Sequence, residues 1–474
     1  MFKRILAVML SFCIILTLFC GCSLLFNSNK CGKNVVWNFD DQGTLTISGT
    51  GEMEDYHGAT FLGEAPWYDY TSSIINIVIE NGVTSIGEEA FIECNNLKSV
   101  TIPRTVTSIG GSAFAYCESL NAIKIPESVT SIGYGAFFAC YSLKEINIPR
   151  GITEIEDYSF FGCSSLNNII LHNNITSIGG RAFADCYGLK IVIIPNSVTS
   201  IGPRAFFNCD GLKAINVPDS VTKIGEGVFS ACDNLTSVGL GRGVKRISDS
   251  AFEGNDNLQT IELPGNIMSI GNRAFACCGN LINVNLGRIT RIGNEAFFEC
   301  HSLERITIPD STTRIGNEAF YNCNALEQVN IGRGLKHIGE KVFYSCEKLQ
   351  RIEFPQGMET IGRWAFSNCE GITEIILPDT ITSIDDYAFR FCKSLKSVTI
   401  PQGVTAIGQG AFSNCLSLES VTIPDSITSI GKNSFEECSS LSNVYYLGTQ
   451  EQWKAVLIDE GNELLINANI IFAK

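Results

Sequence analysis

Apolar and polar positions along this chain follow one pattern that repeats from residue 74 to residue 447. A regular copy is residues 403–424, GVTAIGQGAFSNCLSLESVTIP. Each copy centres on a phenylalanine, and successive phenylalanines lie 23 residues apart except for one step of 22. A fixed period of this length predicts a solenoid, because so small a unit buries its apolar side only by stacking on its neighbours. The 16 anchors are Phe91, Phe114, Phe137, Phe160, Phe183, Phe206, Phe229, Phe252, Phe275, Phe297, Phe320, Phe343, Phe366, Phe389, Phe412 and Phe435.

Within one copy, the apolar spacing predicts two kinds of local structure. Val421 and Ile423 alternate at period two, which indicates a short strand, and Pro424 ends it because proline has no N–H to donate. Phe412 and Cys415 have helical spacing, so a short helical turn is expected there, with the glycine four residues before the phenylalanine as its N-cap. The prediction is about 16 rungs of 23 residues, each a short β-strand plus a short helical turn, with a parallel sheet on one face. The helical spacing disfavours the alternative of a three-sided parallel β-helix.

The segments before residue 74 predict export and an N-terminal cap. Residues 1–21 have a positive start at Lys3 and Arg4 followed by an apolar run, which is typical of a signal peptide. The residues ending at Cys22 resemble a bacterial lipoprotein box, which implies lipid attachment at Cys22 and a short tether over residues 22–30. The alternative is an ordinary secretory signal cut nearby. Residues 31–73 predict a β-hairpin cap over the first rung.

The repeats cover residues 74–447, and residues 448–474 predict a C-terminal cap. Thr449 and Gln452 have the spacing of a capping box, which indicates a helix. Residues 466–472 are apolar and predict a last strand.

Net charge and motif content narrow the function. The formal charge of −15 and pI near 4.9 argue against a nucleic-acid partner. Four scattered histidines lack metal-ligand spacing, so neither a metal nor a cofactor is expected. The sequence has no nucleophile elbow, zinc-protease motif or phosphate-binding loop. We therefore expect a protein that is not an enzyme.

Cysteine recurs at one place in the repeat, three residues after the phenylalanine. Disulfides are the usual interpretation in an exported protein, but 15 cysteines cannot all pair within one row, and asparagine occupies the sixteenth place. Since asparagine bonds backbone groups that a thiol bonds weakly, a buried ladder of free thiols is the favoured hypothesis. The positions are Cys94, Cys117, Cys140, Cys163, Cys186, Cys209, Cys232, Asn255, Cys278, Cys300, Cys323, Cys346, Cys369, Cys392, Cys415 and Cys438.

Two groups of repeat-equivalent residues are candidate contact sites. Basic residues recur just before the repeat isoleucine and just after the strand-ending glycine, so stacking should align them into two rows that could bind an acidic protein or an anionic glycan. They are Lys223, Arg242, Arg246, Arg288, Arg291, Arg314, Arg333 and His337. Ile170, Ile191 and Ile193 are expected on the outward side of two adjacent strands, where exposed apolar residues can mark a contact. The alternatives are ordinary solvated charge and mutual packing.

The unit I-G-x-x-A-F-x-x-C-x-x-L-x-x-V-x-I-P resembles the BspA-like leucine-rich repeat proteins of bacteria over residues 74–447. The resemblance implies a leucine-rich-repeat solenoid displayed on the cell surface, and adhesion or protein recognition for some members. The expected partner is a protein or glycan on a host or neighbouring cell, with a lipid anchor holding the chain to the membrane. A carbohydrate-binding accessory protein and a rigid spacer without a ligand are the alternatives.

Overall fold

The computed structural model describes residues 29–56 and 64–473. The predicted signal peptide and the predicted lipid site at Cys22 lie outside these residues. These described residues divide into two compact units, the first ending at residue 152 and the second beginning at residue 153. Each unit is a stretch of stacked rungs, so the two are described separately.

Each rung forms the strand predicted from its period-two residues, and we call this series sheet 1. Val421 and Ile423 are buried while Thr422 between them is half-exposed. Neighbouring strands pair in parallel without a register shift in segments of two to four strands. At Ile375 only a single bridge to Val398 is formed. The strands of the first unit are Asn76–Ile79, Ser99–Thr101, Ala122–Ile123 and Glu145–Ile146. Those of the second are Asn168–Ile170, Ile191–Ile193, Ala214–Val217, Ser237–Leu240, Thr260–Ile261, Asn283–Val284, Arg305–Ile308, Gln328–Ile331, Arg351–Glu353, Ser397–Thr399, Ser420–Ile423 and Asn443–Tyr446.

A second strand, which the sequence did not reveal, lies at the repeat isoleucine, and we call this series sheet 2. It is mostly two residues long, with the isoleucine turned inward and the residue before it outward. In the first unit it comprises Val83–Ile86, Ser108–Ile109 and Ser131–Ile132. In the second it comprises Glu154–Ile155, Ser177–Ile178, Ser200–Ile201, Lys223–Ile224, Arg246–Ile247, Ser269–Ile270, Arg291–Ile292, Arg314–Ile315, His337–Ile338, Thr360–Ile361, Ser383–Ile384, Ala406–Ile407 and Ser429–Ile430.

The predicted helical turn is not formed, and the segment around each phenylalanine is a series of turns. The residues two before and two after each of the 16 phenylalanines have positive φ, and 27 of these 32 are not glycine. In most rungs their N–H groups and that of the phenylalanine donate to carbonyls of the next rung; Phe91, for example, donates to Ala113 over 2.9 Å. These bonds between rungs offset the cost of left-handed backbone at ordinary residues.

The phenylalanines form the expected interior column within each unit. Phe91, Phe114 and Phe137 stack in the first unit, at centroid distances of 5.4 and 5.5 Å. In the second unit the stack runs from Phe160 to Phe435, with successive rings 5.2 to 5.8 Å apart. These rings are at most 1 % exposed, so they supply much of the apolar surface that holds rungs together.

Glycine follows the sheet 2 isoleucine in most rungs, although Glu156, Ser248 and Asp385 occupy this place in three of them. The predicted N-cap role is wrong because no helix follows; at Gly293 and Gly408 the previous rung approaches too closely for a side chain. A Cβ on Gly293 would lie 2.5 Å from the backbone nitrogen of Asn272. A Cβ on Gly408 would lie 2.5 Å from the carbonyl carbon of Asp385. Real Cβ atoms do not approach backbone so closely, so a side chain here would push rungs apart.

The N-terminal cap contains the predicted hairpin and covers the first rung. Val35–Phe39 pairs antiparallel with Thr44–Gly49, which pairs in parallel with the first rung; a short strand Gly51–Glu52 and a 3-10 helix Tyr68–Ser73 complete it. Trp67 occupies the place of a phenylalanine, stacking on Phe91 with its centroid 5.7 Å away. Its Nε1–H donates to the Ala90 carbonyl at 2.8 Å. In later rungs the equivalent carbonyl accepts the phenylalanine N–H of the preceding rung, but no rung precedes Ala90.

The C-terminal cap covers the last rung of the second unit. It consists of the helix Gln450–Ala455, with the predicted capping box, the strand Leu457–Ile458, the helix Glu463–Ile466 and the strand Asn469–Phe472. The buried Asn462 accepts the N–H of Phe435 on Oδ1 at 3.0 Å. The N-terminal cap thus supplies a hydrogen-bond donor for a carbonyl of the first rung. The C-terminal cap supplies an acceptor for an N–H of the last rung.

Candidate functional site

A groove lined by three arginines lies along sheet 2 of the second unit, and we call it the arginine groove. Arg246, Arg291 and Arg314 are exposed and lie on neighbouring strands of sheet 2, in the register Arg246–Ser269–Arg291–Arg314. At one strand spacing of about 4.8 Å, this row spans about 14 Å. The three arginines line one cavity of about 220 Å³ whose floor contains Gly271, Gly293 and Gly316. The stacking therefore places side chains that are 22 to 68 residues apart in sequence in one groove, as the period predicts.

Charges around the groove are unevenly neutralised. Arg246 pairs with Asp249, with 2.6 Å between nitrogen and oxygen. Arg291 and Arg314 form no ion pair with any residue that the structure describes, although they occupy adjacent strands. Two like charges about 5 Å apart in water repel by about 0.8 kcal/mol, and a bound anion would relieve this repulsion. The Arg291–Arg314 end is therefore where an anion would be held most favourably.

An asparagine ladder, which the sequence analysis missed, forms one wall of the groove. Asn272 accepts the backbone N–H of Asn294 at 2.9 Å, and Asn294 accepts that of Asn317 at 3.0 Å. Both acceptor oxygens are thus consumed by the next rung. The Asn272 Nδ2 donates one N–H to Asp249 at 3.2 Å, and the Asn294 Nδ2 remains on an exposed side chain. The signal that could have revealed this wall is the dipeptide Gly-Asn, repeated at 271–272, 293–294 and 316–317.

The other predicted basic residues do not join this groove. Lys223 pairs in register with Ser200 in a separate ladder of sheet 2. His337 begins a further ladder, where its Nε2 lies 3.9 Å from a carboxylate oxygen of Glu359.

The row after the strand-ending glycine is interrupted by acidic side chains. Arg242 lines a different cavity that also contains Asp219 and Glu262. The carboxylate of Asp310, which stands between Arg288 and Arg333 in the repeat, accepts the Arg333 backbone N–H at 2.8 Å. Sharing one repeat position is therefore not enough to make Arg242, Arg288 and Arg333 a basic patch.

The predicted apolar contact lies on the outward face of sheet 1. Ile170 and Ile193 are direct partners on adjacent parallel strands and are 80 % and 72 % exposed. Ile191 is 62 % exposed and pairs with Asn168. The three side chains are thus brought together, and they are open to solvent while Ile169 and Val192 between them are buried.

The cysteine ladder is buried, and its thiols are free in the structure. In 13 rungs the thiol lies 3.1 to 3.4 Å from the phenylalanine carbonyl of the previous rung, as the Sγ of Cys300 does from the Phe275 oxygen. Burial raises the pKa of ladder thiols such as Cys117 and Cys140, that of Cys140 to about 12. The thiol form that donates this bond is therefore the stable one.

Asn255 performs the same task by stronger bonds. Its Nδ2 donates to the carbonyls of Phe229 and Phe252, each at 2.9 Å, and its Oδ1 accepts the N–H of Cys232 at 2.9 Å. The asparagine thus replaces a thiol as a hydrogen-bond donor to the preceding rung, which agrees with the reasoning that favoured free thiols.

The described residues contain neither a metal-binding cluster nor a membrane-spanning helix. These residues hold no group of three or more side chains able to bind a metal ion, and no helix there is long and apolar enough to span a bilayer.

Comparison with known proteins identifies the family. The model for the BspA-type leucine-rich repeat region matches residues 64–190, 179–289, 286–377 and 359–455. The chain belongs to the BspA-type leucine-rich repeat family. No curated protein matches it. The BspA-type chain is similar to a solved leucine-rich repeat protein from Bacteroides ovatus, with 27% identity over 94% of this chain and 99% of that one, and a TM-score of 0.64. It also matches a leucine rich cell surface protein from Faecalibacterium prausnitzii, with 25% identity, 91% and 97% coverage and a TM-score of 0.34.

Proposed function

We propose that this BspA-type chain is a non-catalytic binding protein of the bacterial cell surface, acting in adhesion or recognition. The observation that carries the proposal is the arginine groove, where charges from successive rungs converge without carboxylate partners at Arg291 and Arg314. The arginine and asparagine side chains that line the groove are exposed, which suits contact with part of a large molecule. Ile170 and Ile193 offer a separate apolar contact for a protein partner.

Display outside the cell rests on the export signal and on lipid attachment at Cys22. Replacing Cys22 with serine should release the protein from the membrane fraction into the medium or periplasm while leaving its fold unchanged. Retention of the Cys22→Ser variant in the membrane would contradict the anchor.

The binding role is tested with the intact protein in detergent, immobilised and exposed to a glycan array and to surface proteins of host and bacterial cells. The variant pair Arg291→Ser and Arg314→Ser removes two charges from the groove. A control pair, Lys213→Ser and Arg305→Ser, removes the same charge from exposed positions elsewhere in the unit. We expect retention of a partner that the groove variant weakens and the control does not. Retention of nothing on either panel would favour a rigid spacer.

A further inference from the structure

We propose that the arginine groove binds an anionic polysaccharide, one whose sugar units carry carboxylate or sulfate groups. This inference rests on the proposed binding function and names the ligand class. The argument uses the hydrogen-bonding character of the groove, its lack of apolar anchors and the spacing of its charges.

The groove presents donors to a ligand and few acceptors. Each guanidinium carries five N–H donors and no acceptor. The asparagine wall adds amide nitrogens, because the Oδ1 atoms of Asn272 and Asn294 already accept N–H groups of the next rung. Asp249, the carboxylate at one end, is engaged by Arg246, by the backbone N–H of Asn272 and by the Asn272 amide. A matching ligand must therefore consist mainly of oxygen acceptors.

A polysaccharide of acidic sugars meets this requirement better than an acidic peptide does. Its carboxylates or sulfates accept from guanidinium groups, and its ring and bridging oxygens accept from amides. An extended peptide also presents a backbone N–H at each residue, and these would lack acceptors in the groove.

Protein interfaces are also centred on buried aromatic or aliphatic anchors. The isoleucines that line this groove, Ile270 and Ile292, are about 2 % exposed and face the core. The groove therefore lacks the apolar pocket that an acidic protein would need for a tight contact.

The charges are arranged along the solenoid, which suits a linear polymer. Arg291 and Arg314 are one strand apart and Arg246 lies two strands from Arg291, so the positive charges recur at about 5 and 10 Å. Arginine side chains are long enough to adjust to the repeat of a polymer, and a polymer contacts several of them at once. Such binding should weaken steeply with salt because the groove is exposed.

The test is binding of the intact detergent-purified protein to four polymers: polygalacturonate, heparin, fully methyl-esterified pectin and polyglutamate. We expect polygalacturonate or heparin to bind, neutral pectin not to bind, and polyglutamate to bind at least tenfold more weakly. The two acidic glycans distinguish a carboxylate from a sulfate ligand. The Arg291→Ser/Arg314→Ser variant should lose at least tenfold in affinity for the bound glycan, while the Lys213→Ser/Arg305→Ser control changes it less than twofold. Thermal unfolding of each variant verifies that it is folded.

Tighter binding of polyglutamate than of both acidic glycans would overturn the inference in favour of an acidic protein ligand. Equal binding of neutral pectin and polygalacturonate, or equal losses in the two variants, would also overturn it. If no polymer binds but the protein still retains a surface protein, the polysaccharide inference fails and the proposed binding function stands. Failure in both assays removes both.

Discussion

The strongest structural prediction concerns Asn255, the one ladder position that is not cysteine. In the Asn255→Ala variant the Phe252 carbonyl keeps a second partner, because the Cys278 thiol lies 3.1 Å from it. The Phe229 carbonyl and the Cys232 N–H would lose the bonds that Asn255 provides, both in the buried interior. At about 1–3 kcal/mol for each unsatisfied buried group, the loss should be about 3 kcal/mol.

Asn255→Cys is the matched comparison, since it restores the thiol that other rungs carry. Its S–H can donate to the Phe229 carbonyl, so only the Cys232 N–H is left without the acceptor that Asn255 provides. The expected cost is therefore about 1 kcal/mol, that of one unsatisfied buried group. The two variants should differ by about 2 kcal/mol although cysteine and alanine both remove the amide.

Native-state hydrogen exchange is the suitable assay, because long repeat arrays do not unfold in one two-state step. The N–H groups of Phe229 and Phe252 donate across the affected rungs and report local opening. Exchange there should accelerate about 100-fold in Asn255→Ala and no more than about tenfold in Asn255→Cys, since 1.4 kcal/mol is a factor of ten. Equal acceleration in the two variants would refute the claim that this position exists to donate a hydrogen bond to the previous rung.

Three further predictions address the caps and the thiols. Trp67→Phe should keep the stack on Phe91 but leave the Ala90 carbonyl without its donor, which costs the first rung about 1–3 kcal/mol in hydrogen exchange. Burial raises the pKa of ladder thiols such as Cys94 and Cys140 above the unfolded value of about 8.5, so the stability that these thiols contribute should be intact below that pH and fall as pH rises towards 12. Chemical denaturation across this range measures it. Half-buried Cys277 should react with a thiol reagent in the folded protein before any buried ladder thiol does, as mass spectrometry of the labelled peptides would show.

Most of the fold could be predicted from the repeat period. It predicted the phenylalanine columns, the strands of sheet 1 and the neighbourhood of Arg291 and Arg314, because a regular period converts sequence distance directly into adjacency. The hairpin over Val35–Phe39 and the capping box at Thr449 also followed from local pattern alone.

The turns around each phenylalanine could not be predicted in this way. Residues such as Glu89, Arg204 and Trp364 adopt left-handed backbone without any local preference for it. The bonds that hold them there go to the next rung, so the information is not contained within one repeat. The spacing of Phe412 and Cys415 imitated a helix because both residues point inward from a series of turns.

The groove was predicted in part, because the repeat period also aligns side chains that share one repeat position. Arg246, Arg291 and Arg314 came together because they share one repeat position. Arg242 did not, because it occupies another repeat position and lines a different cavity, and His337 did not, because its strand begins a separate ladder of sheet 2. The asparagine wall was missed since its role depends on hydrogen bonds between rungs.

The central claim is that residues one rung apart act as one binding surface, and adding a charge to the row tests it most directly. Ser269 stands between Arg246 and Arg291 in register, so Ser269→Arg would complete a run of four arginines. Ser429→Arg adds the same charge at the equivalent place of a distant ladder. Titration with polygalacturonate should show at least threefold tighter binding for Ser269→Arg and no change for Ser429→Arg. The same gain in both variants would mean that net charge, and not the stacked row, governs binding.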